Sequence, residues 1–351
     1  MKSRRLFLKI FTGAAAALIP WVVMPETWQK GLKKLLGQPT AELTWALNGD
    51  SANSAAIDPK VLQRKAFDDI EFLSSPEMQG RRAGTAAETR ALVYLEEQLR
   101  NLHLEPLQAD EYWQIFSIPV MQERLINGRA LFRPNPTEKM KIPASNIFGV
   151  LPGKNPEKSI MLCAHYDHLG IYKGELYPGA NDNASGVGCV LEVMRRLVAD
   201  YHNGNRPQVN IIAAFWSAEE MGFLGSIHFV KNSGIPLSSL QAVLNLDTVA
   251  NGSPAEFICW AAQENFLTET VRACWAQYGA TVSRVSGNGH RSDEAAFDGT
   301  GVPAVTVLSK DWLVKNHTPE DDISLINPEK LEVASLALYD TVKQLAYSAE
   351  G

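Results

Sequence analysis

The sequence predicts a three-layer α/β/α sandwich around a mixed, mostly parallel sheet. Short apolar runs alternate with amphipathic stretches, the pattern of a chain built from βαβ units. The runs are apolar on both faces, as strands covered by helices on either side must be. At 351 residues, with 45% hydrophobic and 21% charged content, the chain has material for one large core.

Ordered structure is expected from Asp58-Pro59, a cap followed by proline at the first helical position. Thr85-Ala86-Ala87-Glu88 has capping-box spacing and opens a second helix, in which Ala91, Leu92, Leu95, Leu99 and Leu102 form one buried face. Ser145 to Leu151, Ser159 to Ala164, Val209 to Trp216, Ala242 to Leu246, Phe257 to Ala261 and Ala304 to Leu308 are the strand candidates. Helical stretches lie around Gly186 to Tyr201, Phe223 to Asn232, Asn265 to Tyr278 and Pro328 to Tyr347. No internal repeat or low-complexity tract interrupts them, so residues 58–351 read as one domain.

Ahead of that domain, MKSRRLFLKIFTGAAAALIPWVVMP places four cations and no acid before an Ala-rich apolar stretch. Ser3-Arg4-Arg5-Leu6-Phe7-Leu8-Lys9 matches the twin-arginine export signal at every consensus position. The match implies a bacterial protein handed already folded to the twin-arginine machinery and delivered to the periplasm or another extracytoplasmic site. The apolar run from Ile10 to Met24 is shorter than the roughly 20 residues a spanning helix needs. No small-x-small cleavage site stands at a suitable distance, so residues 1–24 fit a removable signal or an uncut membrane anchor. Residues 25–57, mixing Pro, Gly, Ser and Asn, read as a linker.

A net charge of -6 and a pI near 5.7 argue against a nucleic-acid-binding face. Cys163, Cys189, Cys259 and Cys274 fall in strand-like or helix-like runs without zinc-finger spacing, and are expected to be buried free thiols.

In open α/β sheets ligands bind beyond the carboxyl ends of strands, so polar residues just after the apolar runs bear the chemistry. His165-Tyr166-Asp167-His168 follows the second run, Glu219 and Glu220 the third, Asp247 the fourth, and Asn316-His317-Thr318-Pro319-Glu320-Asp321 the sixth. The loop Gly179-Ala180-Asn181-Asp182-Asn183-Ala184-Ser185-Gly186 delivers Asp182 at the start of a helix. Each alone has a bland explanation as a cap, a surface charge or a core histidine. Five at one edge of one sheet point to a shared site.

With those motifs in view, the chain resembles the M28 family of zinc peptidases, the aminopeptidase group with two metals in one site. The likeness runs from about Phe67 to the C-terminus through GRRAGTAAETRALVYLEEQLRNLHLEP, AHYDHLG, GANDNASGVG, WSAEEMGFLGS, NLDTV and NHTPEDD, in family order. It implies a zinc-exopeptidase-like fold, with His165 and Asp247 on one metal, Glu220 and His317 on the other, and Asp182 bridging them. Glu219 is then the general base, and Asp167 accepts the second N–H of His165, fixing its tautomer. A donor set of oxygen and imidazole without thiolate suits two Zn²⁺ ions. Three ligand carboxylates against two dications favour a bound hydroxide, and the adjacent pair Glu219 and Glu220 divides into a proton carrier and a ligand.

The chain departs from the family in places. Ser292, Asp293 and Phe297 match the loop beside the substrate pocket, whereas Glu294 stands where many relatives carry His or Tyr. Asn316 stands where relatives often have Tyr, leaving His290 or a backbone N–H as the alternative oxyanion donor. His168 is expected to be structural, His103, His202 and His228 to lie at the surface, and Phe215 and Trp216 to pack in the core. The resemblance implies an exported metallo-aminopeptidase acting on peptides with a free N-terminus. The alternatives are a glutaminyl cyclase, a single-zinc acyltransferase of the same fold, and a non-catalytic binding module. Asp182-Asn183-Ala184-Ser185-Gly186 and Ser217-Ala218-Glu219-Glu220 look more like the peptidases than the cyclases.

Overall fold

The computed structural model describes residues 57–348 except 109–110, 128 and 286–288; the expected signal and all but the last residue of the expected linker lie outside the described residues. The elements in chain order are α1 (Pro59–Gln63), α2 (Ala66–Leu73), α3 (Ala86–Asn101), β1 (Trp113–Pro119), β2 (Met121–Ile126), β3 (Arg129–Pro134), β4 (Lys141–Leu151) and β5 (Asn155–His165). Then follow β6 (Gly170–Tyr172), β7 (Glu175–Tyr177), α4 (Ser185–His202), β8 (Val209–Trp216), α5 (Leu224–Lys231), β9 (Leu240–Leu246) and β10 (Glu256–Trp260). The chain ends with α6 (Phe266–Ala276), β11 (Thr281–Arg284), β12 (Ala304–Ser309) and α7 (Pro328–Tyr347).

Eight strands form one sheet in the order β1-β4-β8-β5-β9-β12-β10-β11. Its centre, β8-β5-β9-β12, is parallel, and β4 and β10 join that centre antiparallel, which gives the expected mixed sheet. Alternation along β5 shows why the run is apolar throughout. Ile160, Leu162 and Ala164 pack into one core with Val190, Leu191 and Met194 of α4, while Met161 and Cys163 face a second core containing Phe229 of α5. Helices therefore cover both faces. Among the described residues no helix is long and apolar enough to cross a membrane. All four cysteines are free and buried, as expected.

The six strand candidates and four helical stretches are all present, but β1, β2, β3, β6, β7 and β11 were not legible. β6 and β7 are three residues each, and β2 and β3 form a separate hairpin in which Arg124, Arg129 and Arg133 interrupt the apolar positions of one face. The capping box at Thr85 also needs correction. Thr85 Oγ1 accepts from Ala87 N at 3.2 Å, but Glu88 turns inward and accepts from Gly84 N (2.5 Å), Ser145 N (3.3 Å) and Tyr166 Oη (3.0 Å). A buried carboxylate with that many donors ties α3 to β4 and to the loop after β5 instead of closing its own helix.

A charged cluster under α4 fixes the packing of α2, α3 and α4. Arg195 Nη1 and Nη2 donate to Asp69 at 2.6 and 3.1 Å, Arg64 Nε donates to the same carboxylate at 2.7 Å, and Tyr94 Oη completes its shell. Asp69 is 0% and Arg195 1% exposed, so neither can turn to water. Removing one member leaves a buried charge alone. Asp69→Ala is expected to lower unfolding free energy by about 3–5 kcal/mol, read from urea denaturation curves; a loss under about 1 kcal/mol would mean Arg195 finds another partner.

Candidate active site

All four central parallel strands end at one edge, and each delivers a polar residue there. His165 is the last residue of β5. Glu219 and Glu220 follow β8 after a two-residue turn in which Ala218 takes a left-handed φ of 58°. Asp247 directly follows β9, and His317 lies on the loop after β12. The loop before α4 brings Asp182 between them. Together they form the floor of a cavity of about 410 Å³.

Two triads share one carboxylate. His165 Nε2 stands 3.4 Å from Asp182 Oδ1 and 3.5 Å from Asp247 Oδ1. His317 Nε2 stands 3.1 Å from Asp182 Oδ2 and 3.0 Å from Glu220 Oε2. The two oxygens of Asp182 thus face different partners. Ligands at 2.0–2.1 Å in a tetrahedral shell lie about 3.3 Å apart, close to these separations, and two groups gather tightly enough to hold an ion: His165, Asp182 and Asp247, and His168, Asp182 and Glu220. The donor set of the first group fits zinc, and at the second His317 and His168 both approach Asp182 and Glu220. Glu219 lies outside both triads, with Oε2 3.9 Å from His165 Nε2.

The electrostatics follow from crowding four carboxylates. Burial opposes charge on His317, yet Glu220 and Asp182 overcome it and raise its pKa to about 10; His165 is likewise raised well above the ordinary range by Glu219 and Asp247. Burial pushes Glu220 up, but the His317 charge prevails and brings it down to about 2. Glu219 goes the other way. Burial first, then the charges of Glu220, Asp293 and Asp247, hold its pKa well above the ordinary carboxylate range. Neighbours in sequence therefore differ in kind, the proton affinity of Glu219 being raised and that of Glu220 lowered. Two imidazolium ions do not neutralise four carboxylates, whereas two divalent cations do, and the imidazoles then serve as neutral ligands.

Comparison with known proteins agrees with this geometry. The model of peptidase family M28 matches residues 146–342, more than half of the chain. The chain belongs to peptidase family M28. It is 29% identical over 248 residues to aminopeptidase YwaD of Bacillus subtilis, covering 65% of this chain and 52% of that protein. To leupeptin-inactivating enzyme 1 of Streptomyces exfoliatus it is 29% identical over 166 residues, 47% of this chain and 35% of that one. The chain thus spans about half or less of the length of these relatives. In fold it is similar to a zinc aminopeptidase from Bacillus subtilis, with a TM-score of 0.65 at 20% identity over 84% of this chain and 97% of that one. A glutaminyl cyclase from Fimbriiglobus ruber matches with a TM-score of 0.60 at 16% identity over the same shares.

In this M28 chain several residues refine the reading made from sequence. His165 Nδ1 lies 3.2 Å from the backbone carbonyl of Asp167 and 3.8 Å from its carboxylate, so the main chain orients the ring. The Asp167 carboxylate instead accepts from the backbone N–H of Glu219 at 3.1 Å, fixing the proton carrier's loop. His168 stands inside the site, fully buried, with Nδ1 2.8 Å from Glu220 Oε1 and its ring edge-on to His317 at 5.8 Å. Asn316 donates to Asp182 Oδ2 at 2.5 Å, and so holds the shared carboxylate. Glu294 does not line the cavity; it accepts from Arg291 Nε (2.6 Å), Ser292 N (3.0 Å) and Thr306 Oγ1 (2.5 Å) and holds its own loop. His290 does line the cavity, edge-on to Trp312. Trp216 and Phe215 are fully buried in the core.

Arg81 and Asp321 went unassigned. Arg81, 0% exposed, donates to the carbonyls of Tyr166 (2.8 Å), Leu73 (2.5 Å), Pro178 (2.8 Å) and Gly179 (2.9 Å), binding the His165 and Asp182 loops from beneath. Burial lowers its pKa to about 10, which leaves it charged at neutral pH. Asp321 accepts from Asn181 N at 2.8 Å and Asp182 N at 3.0 Å, clamping the Asp182 loop to the His317 loop. The sequence signal was present in GRRAG and PEDD, but not the burial. Arg81→Met strands four carbonyls, and is expected to cost about 3 kcal/mol or more and to reduce bound zinc per chain, measured by urea unfolding and atomic spectroscopy. Unchanged metal content in a folded Arg81→Met protein would separate Arg81 from the site.

Proposed function

We propose that this protein is an exported two-zinc aminopeptidase that removes residues from the free N-terminus of peptides. The observation that carries the reading is the gathering of His165, His317, Asp247 and Glu220 around the shared carboxylate of Asp182, with Glu219 beside them. His165, Asp182 and Asp247 would hold one zinc ion, and Asp182, Glu220 and His317 the other. Ions bound there would polarise the scissile carbonyl and lower the pKa of the attacking water.

The chain's own residues do the rest. Glu219 takes the proton from the attacking water and passes it to the departing amine, and burial raises its affinity for that proton above that of an ordinary carboxylate. The carbonyls of Asp167 and Ala130 accept from Nδ1 of His165 and His317, so each Nε2 points to the centre. The carboxylates of the floor also give an incoming ammonium a favourable end of the cavity.

Glu219→Gln is expected to retain two zinc ions per chain while losing roughly 10²- to 10⁴-fold in kcat on aminoacyl anilides; full turnover would remove Glu219 from the mechanism. Asp182→Ala in the same assay should lose both ions together, and loss of only one would refute bridging. Formation of pyroglutamate from N-terminal glutamine, with one zinc per chain, would favour a glutaminyl cyclase instead.

Ser3 to Lys9 supports delivery to the periplasm by the twin-arginine route. Replacing Arg4 and Arg5 by lysine should leave the protein in the cytoplasmic fraction of a bacterial host. Unimpaired export of that variant would overturn the assignment.

A further inference from the structure

The β2–β3 hairpin stands apart from the main sheet and forms one wall of the cavity. Its register sorts the side chains. Ala130 and Phe132 of β3 are buried in an apolar cluster with Phe116, Ile118 and Met121, and Arg129, Leu131 and Arg133 alternate with them on the other face; those three line the cavity, together with Phe132 and Pro134. Arg124 of β2 pairs with Leu131 in register, which puts a third arginine on that same face. No acidic residue of the hairpin shares it.

The wall is fixed to the catalytic centre. Ala130 N donates to the carbonyl of His317 at 3.3 Å, and its own carbonyl lies 2.8 Å from His317 Nδ1. Arg129 Nη2 donates to Asn316 Oδ1, a neutral acceptor, so the guanidinium charge is left over. Among the described residues no carboxylate forms an ion pair with Arg129 or Arg133. Arg291, which also lines the cavity, is by contrast neutralised by Glu294 at 2.6 Å and Asp298 at 3.0 Å. The only carboxylates lining the described cavity are Asp182, Glu219, Glu220 and Asp247, all on its floor. The unmatched positive charge therefore lies along β3.

We propose that β3 is a carboxylate-binding wall, and that the enzyme favours short peptides whose leaving portion carries a carboxylate close to the scissile bond. This rests on the aminopeptidase reading above and names its substrate class. A planar guanidinium matches a carboxylate in two parallel hydrogen bonds, a fit that lysine lacks. Arg129, next to Asn316, serves a carboxylate one or two residues beyond the bond. Arg133, four residues on and about 13 Å farther along the strand, serves one held farther out. The carboxylate can be the C-terminus of a di- or tripeptide or the side chain of an acidic residue.

The test compares kcat/KM for Ala-Ala-Ala, Ala-Ala-Ala-amide, Ala-Asp-Ala-amide and Ala-Ala on the zinc-loaded full chain. The expected result is a preference of about tenfold or more for the free acid over the amide, expressed in KM and reduced by 0.5 M salt, since Arg133 is exposed. Ala-Asp-Ala-amide matching the free acid would show that side-chain carboxylates are accepted; matching the plain amide would confine recognition to the C-terminus. In R129M and R133E the acid-to-amide ratio should fall toward one. A ratio taken within each variant cancels any general loss of activity. Calorimetric binding of Ala-Ala-Ala and its amide to the Glu219→Gln protein should show the same gap as affinity. Equal rates for acid and amide in the unaltered protein, or ratios unmoved in both variants, would overturn the proposal. Failure to release alanine from any of the four would overturn the aminopeptidase reading itself, and the carboxylate wall with it.

Discussion

Four carboxylates gathered on one buried floor repel one another and lose their hydration, and the rest of the architecture answers that cost. The arrangement is tolerable only because the ligand oxygens are dealt out to opposite sides. Asp182 turns Oδ1 to His165 and Asp247's end of the floor and Oδ2 to His317 and Glu220, so a single carboxylate serves two groups of donors. Glu219, left without a place in either group, bears the repulsion as a raised proton affinity. A destabilising crowd of like charges thus gives two groups of donors suited to a cation and one carboxyl of raised proton affinity, the kind of perturbation that marks functional sites.

Support for this floor comes mostly from backbone groups. Arg81 meets four carbonyls, Asp321 two N–H groups, and Asn183 accepts from Gly186 N (2.9 Å) and Thr248 N (3.2 Å) while donating to the carbonyl of Leu246 at 2.9 Å. These contacts sew the loops after β5, β9 and β12 to the loop before α4. Each partner is a main-chain group, which ties loop position to the sheet and leaves ligand side chains free to face the cavity. Gly186 is part of the same device. A Cβ there would lie 2.4 Å from both Asn183 Oδ1 and the Leu246 carbonyl, so only glycine lets the helix start this close to the strand end.

What could be read from sequence follows a physical division. The central strands were legible because burial on both faces demands continuous apolar runs, and the ligand candidates were legible because each directly follows such a run or opens a helix. Residues that act by being buried while charged were not. Arg81 and Asp69 look like ordinary surface charges until the fold removes them from water. The role of Asp167 was misread in detail because a residue two positions from a histidine can reach it with either carbonyl or carboxylate, and spacing cannot choose. His168, expected to be structural, is fully buried against Glu220 and absent from the cavity lining, a placement set by the turn after β5 that spacing alone does not show. The β2–β3 hairpin carried no strand signature because one of its faces is given to arginines.

That hairpin also accounts for the departure at Asn316. A phenol at this position would carry donor and acceptor on one oxygen, whereas an amide places them on separate atoms of one planar group. Asn316 uses both, giving Nδ2–H to Asp182 and its oxygen to Arg129. The shared ligand carboxylate is thereby linked through one side chain to the cationic wall. The Ala130 carbonyl meanwhile sets the ring of His317, so the hairpin touches the centre at both a ligand and the ligand's support. Occupancy of the wall and geometry of the floor are therefore mechanically connected over two hydrogen bonds. A peptide carboxylate that draws Arg129 toward itself must lengthen or re-form its bond to Asn316. In this arrangement Asn316 joins the setting of Asp182 to the cationic strand β3 through one side chain.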